Sequence, residues 1–279
     1  MQSRKIDLDA KLHHLAFESP FPERLAHFYS NVLQMDIISS EKEEIHCSGP
    51  SREFIIIKGH ANKLAYAGFV VENSDKLISL RSRIEENGIS VLSNISRHFC
   101  ENAFTVQDPD GNLICFGTVA LISEKFKGLH ARLQHLTFSS NEVAPMLEFY
   151  ELGLGFKLTD RVIHKNGEIA TIFLTSNHEH HTIACFKSDY KGMDHHSYEA
   201  GSWIYIRDWC DHFSEQNIQL LWGPGRHGPG DNLFVFIEDP DGNWIEISAE
   251  LEIIKNRSPK DWPQHPRTLN KWGSAIMRS

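Results

Sequence analysis

The chain has 279 residues, of which 41% are hydrophobic and 23% charged, a composition typical of folded globular proteins. Its 28 Lys and Arg against 37 Asp and Glu give a formal net charge of −9, which disfavours a protein that binds nucleic-acid phosphates. No apolar run reaches the roughly 18 residues of a membrane span, and the N-terminus is too charged for a secretory signal. Five scattered cysteines without a CxxC pair predict reduced thiols, so we expect a cytoplasmic protein without nucleic-acid or membrane partners.

The first half of the chain predicts a strand, a helix and then further strands. A strand at His14–Phe17 precedes a helix that opens near Pro22, because apolar residues then recur at helical spacing. A second helix is predicted over Ser74–Asn87, with Ser74 as its N-cap and Gly88 after its end. The order is that of a βαβββ unit.

The second half repeats this pattern. Asp-Pro-Asp-Gly-Asn occurs at Asp108–Asn112 and again at Asp239–Asn243, each time between two β-type runs, which predicts two hairpin turns. The strand motif His14–Phe17 recurs as His135–Phe138, and a helix is predicted from Ser202 to about residue 217. Chance would need several coincidences in the same order, so we interpret the chain as an internal repeat.

The repeat predicts an α+β protein of two tandem modules. Each module is built of paired βαβββ units that form a curved, mostly antiparallel sheet. The N-terminal module is expected over residues 1–120 and the C-terminal module over 121–254, with a boundary region near 118–131. Residues 255–279 are expected to form a C-terminal tail.

Equivalent positions of the two halves can be compared directly. Three of the four strand motifs begin with His and the fourth begins with Tyr. The strand after each hairpin carries Cys or Glu seven residues beyond the first Asp of the turn. At these equivalent positions the C-terminal half has His135, His195 and Glu246, and the N-terminal half has His14, Tyr66 and Cys115.

The residues of the C-terminal half predict a metal site. Two neutral imidazoles and one carboxylate leave coordination positions open and suit Fe(II) oxygen chemistry. Only one of His195 and His196 can face the metal, because side chains alternate across a strand, and the register with His135 selects His195. We therefore predict His135, His195 and Glu246 as ligands, with His14 packed in the core.

The tandem pattern with these ligand positions resembles the vicinal oxygen chelate superfamily, which includes glyoxalases, bleomycin-resistance proteins and extradiol dioxygenases. Over about residues 10–250 the chain is most similar to the two-module type I extradiol dioxygenases. His180–Ala184 resembles the family strand that carries an acid–base His. Gly223–Asn232 resembles the family's Gly-x-Gly-Arg-His loop, and Arg267–Gly273 resembles the C-terminal segment of some members.

The resemblance implies Fe(II)-dependent cleavage, alternatively with Mn(II), of a catechol-like or hydroquinone-like ring. The partners would be a small aromatic diol and O₂, and the protein would be a homo-oligomer. His180 would shuttle a proton, for which an imidazole pKa near 6.5 is suited, and His181 is expected to point outward. His227 would stabilise an oxygen-bearing intermediate. Further candidates for substrate contact are Arg226, Asn232, Tyr198 and Phe236.

Phe236 departs from the family pattern. Ten residues before the Glu ligand, ring-cleaving members carry a Tyr that hydrogen-bonds a substrate oxygen. Phe236 can pack in the same position but cannot make that hydrogen bond. Two alternatives therefore stay open: a metal-dependent isomerase, lyase or epoxide-opening enzyme with Mn(II), Ni(II) or Zn(II), and a non-catalytic protein that sequesters a small molecule.

Overall fold

The computed structural model describes residues 8–40, 44–119 and 128–277. The N-terminal elements are β1 (Lys11–Ser19), α1 (Pro22–Val32), β2 (Asp36–Ser40), β3 (Glu44–Gly49), β4 (Arg52–Lys58), β5 (Lys63–Val70), α2 (Ser74–Glu86), β6 (Leu92–Ser93), β7 (Phe104–Gln107) and β8 (Leu113–Gly117). The C-terminal elements are β9 (Arg132–Ser140), α3 (Val143–Glu148) with a π-helical continuation (Phe149–Leu154), β10 (Lys157–Ile163), β11 (Ile169–Thr175), β12 (Ile183–Lys187), β13 (Gly192–Glu199), α4 (Trp203–Glu215), β14 (Trp222–Arg226), β15 (Leu233–Glu238), β16 (Trp244–Ala249), β17 (Lys260–Pro263) and α5 (Pro266–Leu269).

The strands form two sheets with the same internal order. The first sheet runs β2-β3-β4-β1-β5-β8-β7-β6, and the second runs β10-β11-β12-β9-β13-β16-β15-β14, with β17 added beside β10. Most neighbouring strands are antiparallel, and the first and last strand of each half-module pair in parallel. This is the predicted α+β architecture of two tandem modules. The exact module boundaries stay a prediction, because residues 120–127 lie outside the described part of the chain. The predicted tail contributes one strand, β17, to the second sheet.

The helices lie close to their predicted positions. The N-cap of α2 is Asn73 and not Ser74 as predicted, because the Asn73 side chain accepts a hydrogen bond from the Lys76 backbone N–H at 3.0 Å. Helix α4 begins at Trp203, directly after Ser202. Among the described residues, no helix has the length and apolar character needed to cross a membrane.

The two hairpin turns join the modules. The first Asp of each turn, Asp108 and Asp239, accepts backbone N–H groups of its own turn. The Tyr150 hydroxyl donates to Asp108 at 3.0 Å, and the Tyr29 hydroxyl donates to Asp239 at 3.2 Å. Each module therefore provides a buried tyrosine for the turn of the other, and burial raises the pKa of the Asp239 carboxyl to about 6.

Removal of either tyrosine hydroxyl should weaken this junction. We expect Tyr29→Phe and Tyr150→Phe each to lower the free energy of unfolding by about 1–3 kcal/mol, because a buried carboxylate loses a donor. Denaturant titration measures the change. Tyr205→Phe, at a side chain that is 44% exposed, is the matched control, and equal stability of all three variants would contradict the prediction.

Candidate metal centre

The three predicted ligands lie on neighbouring strands of the second sheet. His135 on β9 is opposite Ser197 on β13, and Ser197 is opposite Glu246 on β16. His195 lies two residues before Ser197 and so projects from the same face, because side chains alternate along a strand. Strand register alone therefore brings the two imidazoles and the carboxylate to one side of the sheet.

The ligand atoms converge. Nε2 of His135 lies 3.0 Å from Oε2 of Glu246 and 3.4 Å from Nε2 of His195. The distance from His195 Nε2 to Glu246 Oε2 is 3.7 Å. All three residues are buried, and within the described ranges they are the one group of His, Cys, Asp or Glu side chains that meets this spacing. Such separations fit donor atoms about 2 Å from a common cation.

Residues next to the ligands fix the imidazole tautomers. Nδ1 of His135 lies 2.6 Å from Oε1 of Gln134, whose amide group donates to the His181 carbonyl at 2.7 Å, so the amide oxygen must face His135. Nδ1 of His195 lies 2.6 Å from Oδ1 of Asp194. In both rings Nδ1–H donates, which leaves the Nε2 lone pair free to bind a metal.

The protonation states also suit a cation. Burial lowers the pKa of His135 and so favours the neutral ring. Burial on its own raises the pKa of Glu246, but the neighbouring imidazoles of His135 and His227 outweigh it and hold the pKa well below its usual value. The neutral imidazole and ionised carboxylate are the forms that ligate a divalent ion.

A cavity of about 670 Å³, counted to its open mouth, lies over the ligands. Its combination of apolar walls with a few polar groups is typical of small-molecule sites. Among the described residues, no Lys or Arg lines it. Its walls include five large aromatic side chains: Phe173, Phe186, Trp222, Phe236 and Trp244.

His227 and Asn232 lie in the cavity beside the carboxylate. Nε2 of His227 is 3.5 Å from Oε1 of Glu246, and the Asn232 amide donates to the same oxygen at 3.2 Å. Nδ1 of His227 lies 2.5 Å from the carbonyl oxygen of Leu269 in the C-terminal tail. Because a carbonyl only accepts, Nδ1 carries the proton and Nε2 faces Glu246.

Phe236 forms the cavity wall next to the ligands. It is opposite Glu246 in the β15–β16 register, and its ring meets His195 edge to face with centroids 5.2 Å apart. The Trp222 ring stacks on it at 5.4 Å. Phe236, which stands where ring-cleaving members carry a Tyr, therefore contacts the predicted ligand His195 directly.

In the structure His181, and not His180 as predicted, lines the cavity. The ring centroid of His181 lies 4.3 Å from that of His135. His180 lies buried behind it, with Nδ1 2.9 Å from His181 Nδ1 and Nε2 3.0 Å from Oδ2 of Asp160. The expectation that His181 points outward is wrong, because this irregular segment precedes β12, which begins at Ile183, and strand alternation does not apply to it.

Arg226 and Tyr198 do not line the cavity, so their predicted substrate contacts are wrong. The Arg226 guanidinium donates to Glu250 at 2.7 Å and lies over the Trp272 ring at 5.4 Å. Tyr198 is buried on the opposite face of β13, with its ring 5.4 Å from that of His196. Neither side chain is available to a molecule over the ligands.

Three supporting residues were missed by sequence reasoning. Gln134 and Asp194 directly precede the ligand histidines, and a polar acceptor before each of two such histidines could have indicated them. Asp160 lies on β10, 20 residues before its partner His180. No local pattern marks it, because it reaches His180 only through the pairing of β10, β11 and β12.

Comparison with known proteins assigns the family. A sequence model of the Glyoxalase/Bleomycin resistance protein/Dioxygenase superfamily matches residues 11–116 and again residues 132–247. The chain therefore belongs to this superfamily and contains two tandem modules of it.

Relatives with ring-cleaving activities in their names are similar over most of the chain. Metapyrocatechase 2 of Cupriavidus necator is 25% identical over 246 residues, which cover 78% of this chain and 75% of the relative. An iron-dependent extradiol dioxygenase of Rhodococcus jostii is 23% identical over 248 residues, 80% of this chain and 81% of the relative.

Solved structures share the fold. Homoprotocatechuate 2,3-dioxygenase from Arthrobacter globiformis matches with a TM-score of 0.83 and 18% identity, covering 95% of this chain and 88% of that one. A Mn(II)-bound glyoxalase from Novosphingobium aromaticivorans matches with a TM-score of 0.82 and 20% identity, covering 96% and 92%. At these identities the likeness establishes the two-module architecture.

Metal binding should depend on the Glu246 carboxylate. We expect Glu246→Gln, which keeps the shape and removes the charge, to lower the affinity for Fe(II) or Mn(II) at least about 10-fold, since substitutions around such sites cost 10–100-fold. Metal analysis after anaerobic loading and dialysis measures the loss. Glu250→Gln, at a side chain that is 40% exposed, is the matched control. Full metal retention in Glu246→Gln would rule out the proposed ligand set.

Proposed function

We propose that the protein is an extradiol-type dioxygenase that cleaves a catechol-like or hydroquinone-like ring with O₂. A divalent metal, Fe(II) or alternatively Mn(II), would be held by His135, His195 and Glu246. The observation that carries the proposal is the convergence of these three donors beneath an aromatic-lined cavity. The metal, when bound, acts as a Lewis acid and as a template for both reactants.

His181 replaces His180 as the proposed acid–base residue. A diol that binds a cation through its oxygens loses a proton, and a base in the cavity must receive it. The His181 ring lies beside His135, and burial lowers its pKa, so the neutral ring is available to accept. His180 has no access to the cavity and acts only through His181.

His227 is proposed to orient the substrate. Its Nδ1–H donates to the Leu269 carbonyl, so Nε2 can accept a hydrogen bond from a substrate hydroxyl. Asn232 donates to Glu246 and so holds the carboxylate in the orientation in which its other oxygen meets His135. These two residues supply polar groups to a cavity that is otherwise lined by several aromatic side chains.

The lining of the cavity favours an uncharged substrate. Away from the metal position, a substrate carboxylate would have no Lys or Arg to pair with, since no described Lys or Arg lines the cavity, and an unpaired buried charge is costly. Arg226, the cationic side chain predicted to contact the substrate, donates instead to Glu250. We infer that the substrate is an aromatic diol with apolar substituents.

Oxygen consumption tests the proposal. Protein loaded anaerobically with Fe(II) should take up one O₂ per diol consumed, with alkyl-substituted catechols, and yield a ring-opened product seen by absorbance. Carboxylated catechols should be turned over at least about 10-fold less efficiently. Glu246→Gln should abolish uptake, and Glu250→Gln should not change it.

Two outcomes would contradict ring cleavage. Turnover of diols without O₂ uptake would favour the second candidate, a metal-dependent isomerase or lyase, for which Phe236 is the supporting observation because it lacks the hydroxyl of ring-cleaving members. Tight binding of a diol by Glu246→Gln without any turnover in the unaltered protein would instead indicate a sequestering protein.

The missing hydroxyl can be restored. We expect Phe236→Tyr to raise kcat/KM for unsubstituted catechol, because a Tyr opposite Glu246 can donate a hydrogen bond to a substrate oxygen. Steady-state oxygen uptake measures the gain. Phe28→Tyr, at a half-buried ring on α1, is the control. No gain would mean that the substrate packs against the Phe236 ring without using a hydroxyl there.

A further inference from the structure

A chain of buried polar groups extends from the cavity into the protein behind His181. It consists of His181, His180 and Asp160, joined at 2.9 Å and 3.0 Å. His180 and Asp160 are fully buried, and neither contacts the metal ligands or the cavity. The proposed reaction uses only the first member, so the other two need a separate explanation.

Asp160 accepts hydrogen bonds at both oxygens. Oδ1 accepts from the Arg257 guanidinium at 2.7 Å and from the Lys260 backbone N–H at 3.1 Å. Oδ2 accepts from the Trp262 indole N–H at 2.8 Å, in addition to its contact with His180. Burial alone raises the pKa of Asp160, but the hydrogen bonds from His180 and Arg257 outweigh it and lower the pKa to about 2. Asp160 is therefore an ionised carboxylate that can only accept.

The direction of each hydrogen bond follows from this acceptor. His180 must donate from Nε2, because Asp160 has no proton to give. A neutral His180 then has an unprotonated Nδ1, which accepts from Nδ1–H of His181. His181 in turn has its proton on Nδ1 and a lone pair on Nε2. For His181, burial lowers the pKa and favours the neutral ring.

We propose that Asp160 and His180 are positioning residues that hold His181 in the Nδ1–H tautomer, so that its Nε2 lone pair faces the cavity. Proton acceptance by His181 rests on the proposed function. The tautomer itself is a property of the metal-free chain and can be measured without any turnover.

The C-terminal tail takes part in this arrangement. Three of the donors to Asp160 come from Arg257, Lys260 and Trp262, all of which lie beyond the superfamily match that ends at residue 247. Strand β17 holds Lys260 and Trp262 in place by pairing in parallel with β10, where Asp160 is opposite Lys260. The tail therefore acts on His181 through Asp160 and His180.

Asp160→Asn should exchange donor and acceptor in each hydrogen bond from residue 160 to His181. The Asn oxygen is expected to stay with the charged Arg257 donor, which turns the amide N–H₂ toward His180 and removes the acceptor of the Trp262 indole N–H. His180 would then accept at Nε2, donate from Nδ1, and force the His181 proton onto Nε2. Asp261→Asn, the same substitution on the neighbouring strand at a side chain that is 50% exposed, is the control.

Nitrogen-15 NMR of histidine-labelled, metal-free protein at neutral pH reports the tautomers directly. We expect His181 to show protonated Nδ1 and unprotonated Nε2 in the unaltered protein and in Asp261→Asn, and the opposite pattern in Asp160→Asn. An unchanged His181 pattern in folded Asp160→Asn would overturn the proposal. Protons on both nitrogens of His180 in the unaltered protein would also overturn it.

A second variant covers the case in which Asp160→Asn does not fold. His180→Phe keeps the ring volume and removes the acceptor for His181 Nδ1, so His181 should no longer show a single tautomer. Retention of the pure Nδ1–H form would overturn the proposal.

Kinetics of the Fe(II)-loaded protein provide an independent measurement. For Asp160→Asn we expect kcat to fall about 10²-fold or more, the usual contribution of a positioned acid or base, with KM nearly unchanged, whereas a general loss of structure would alter both. The expected NMR pattern without oxygen uptake in the unaltered protein would support the tautomer and contradict the proposed dioxygenase function.

Discussion

The metal centre depends on the register of three neighbouring strands. His135, Ser197 and Glu246 form one row across β9, β13 and β16, and His195 joins that face because it lies two residues from Ser197. A shift of one residue in any of these pairings would turn a ligand to the other side of the sheet. The apolar contacts that fix the register in the core therefore also fix the geometry of the donors.

The first module shows that register is necessary but not sufficient. His14, Gly68 and Cys115 form the equivalent row, and the His14 ring lies so close over Gly68 that a Cβ there would come within 2.2 Å of it. Ser96 lies 2.8 Å from His14 Nε2, and Phe99 packs on the ring at 4.8 Å. The loop between β6 and β7 thus fills the space that the β14–β15 loop of the second module leaves open over its ligands.

Sequence reasoning succeeded where regular strand geometry extends to the residue in question. The internal repeat predicted the two modules, and alternation predicted that His195 and not His196 shares a face with His135. The same alternation should have excluded Tyr198, which lies an odd number of residues from His195. It could not separate His180 from His181, because that segment is irregular and its orientation depends on Asp160, which reaches it through two intervening strand pairings.

Two modules alone do not account for the chemistry of the cavity. Both non-ligand imidazoles that line it are oriented by the C-terminal tail: His227 donates to the Leu269 carbonyl, and His181 is connected through His180 to the carboxylate that Arg257 and Trp262 hold in place. These hydrogen bonds have partners in the tail, outside the two repeated modules. A change in the tail can therefore alter them without moving the three metal ligands. The tail therefore helps to fix the orientation of the two imidazoles beside the ligand row, which the repeated modules alone do not do.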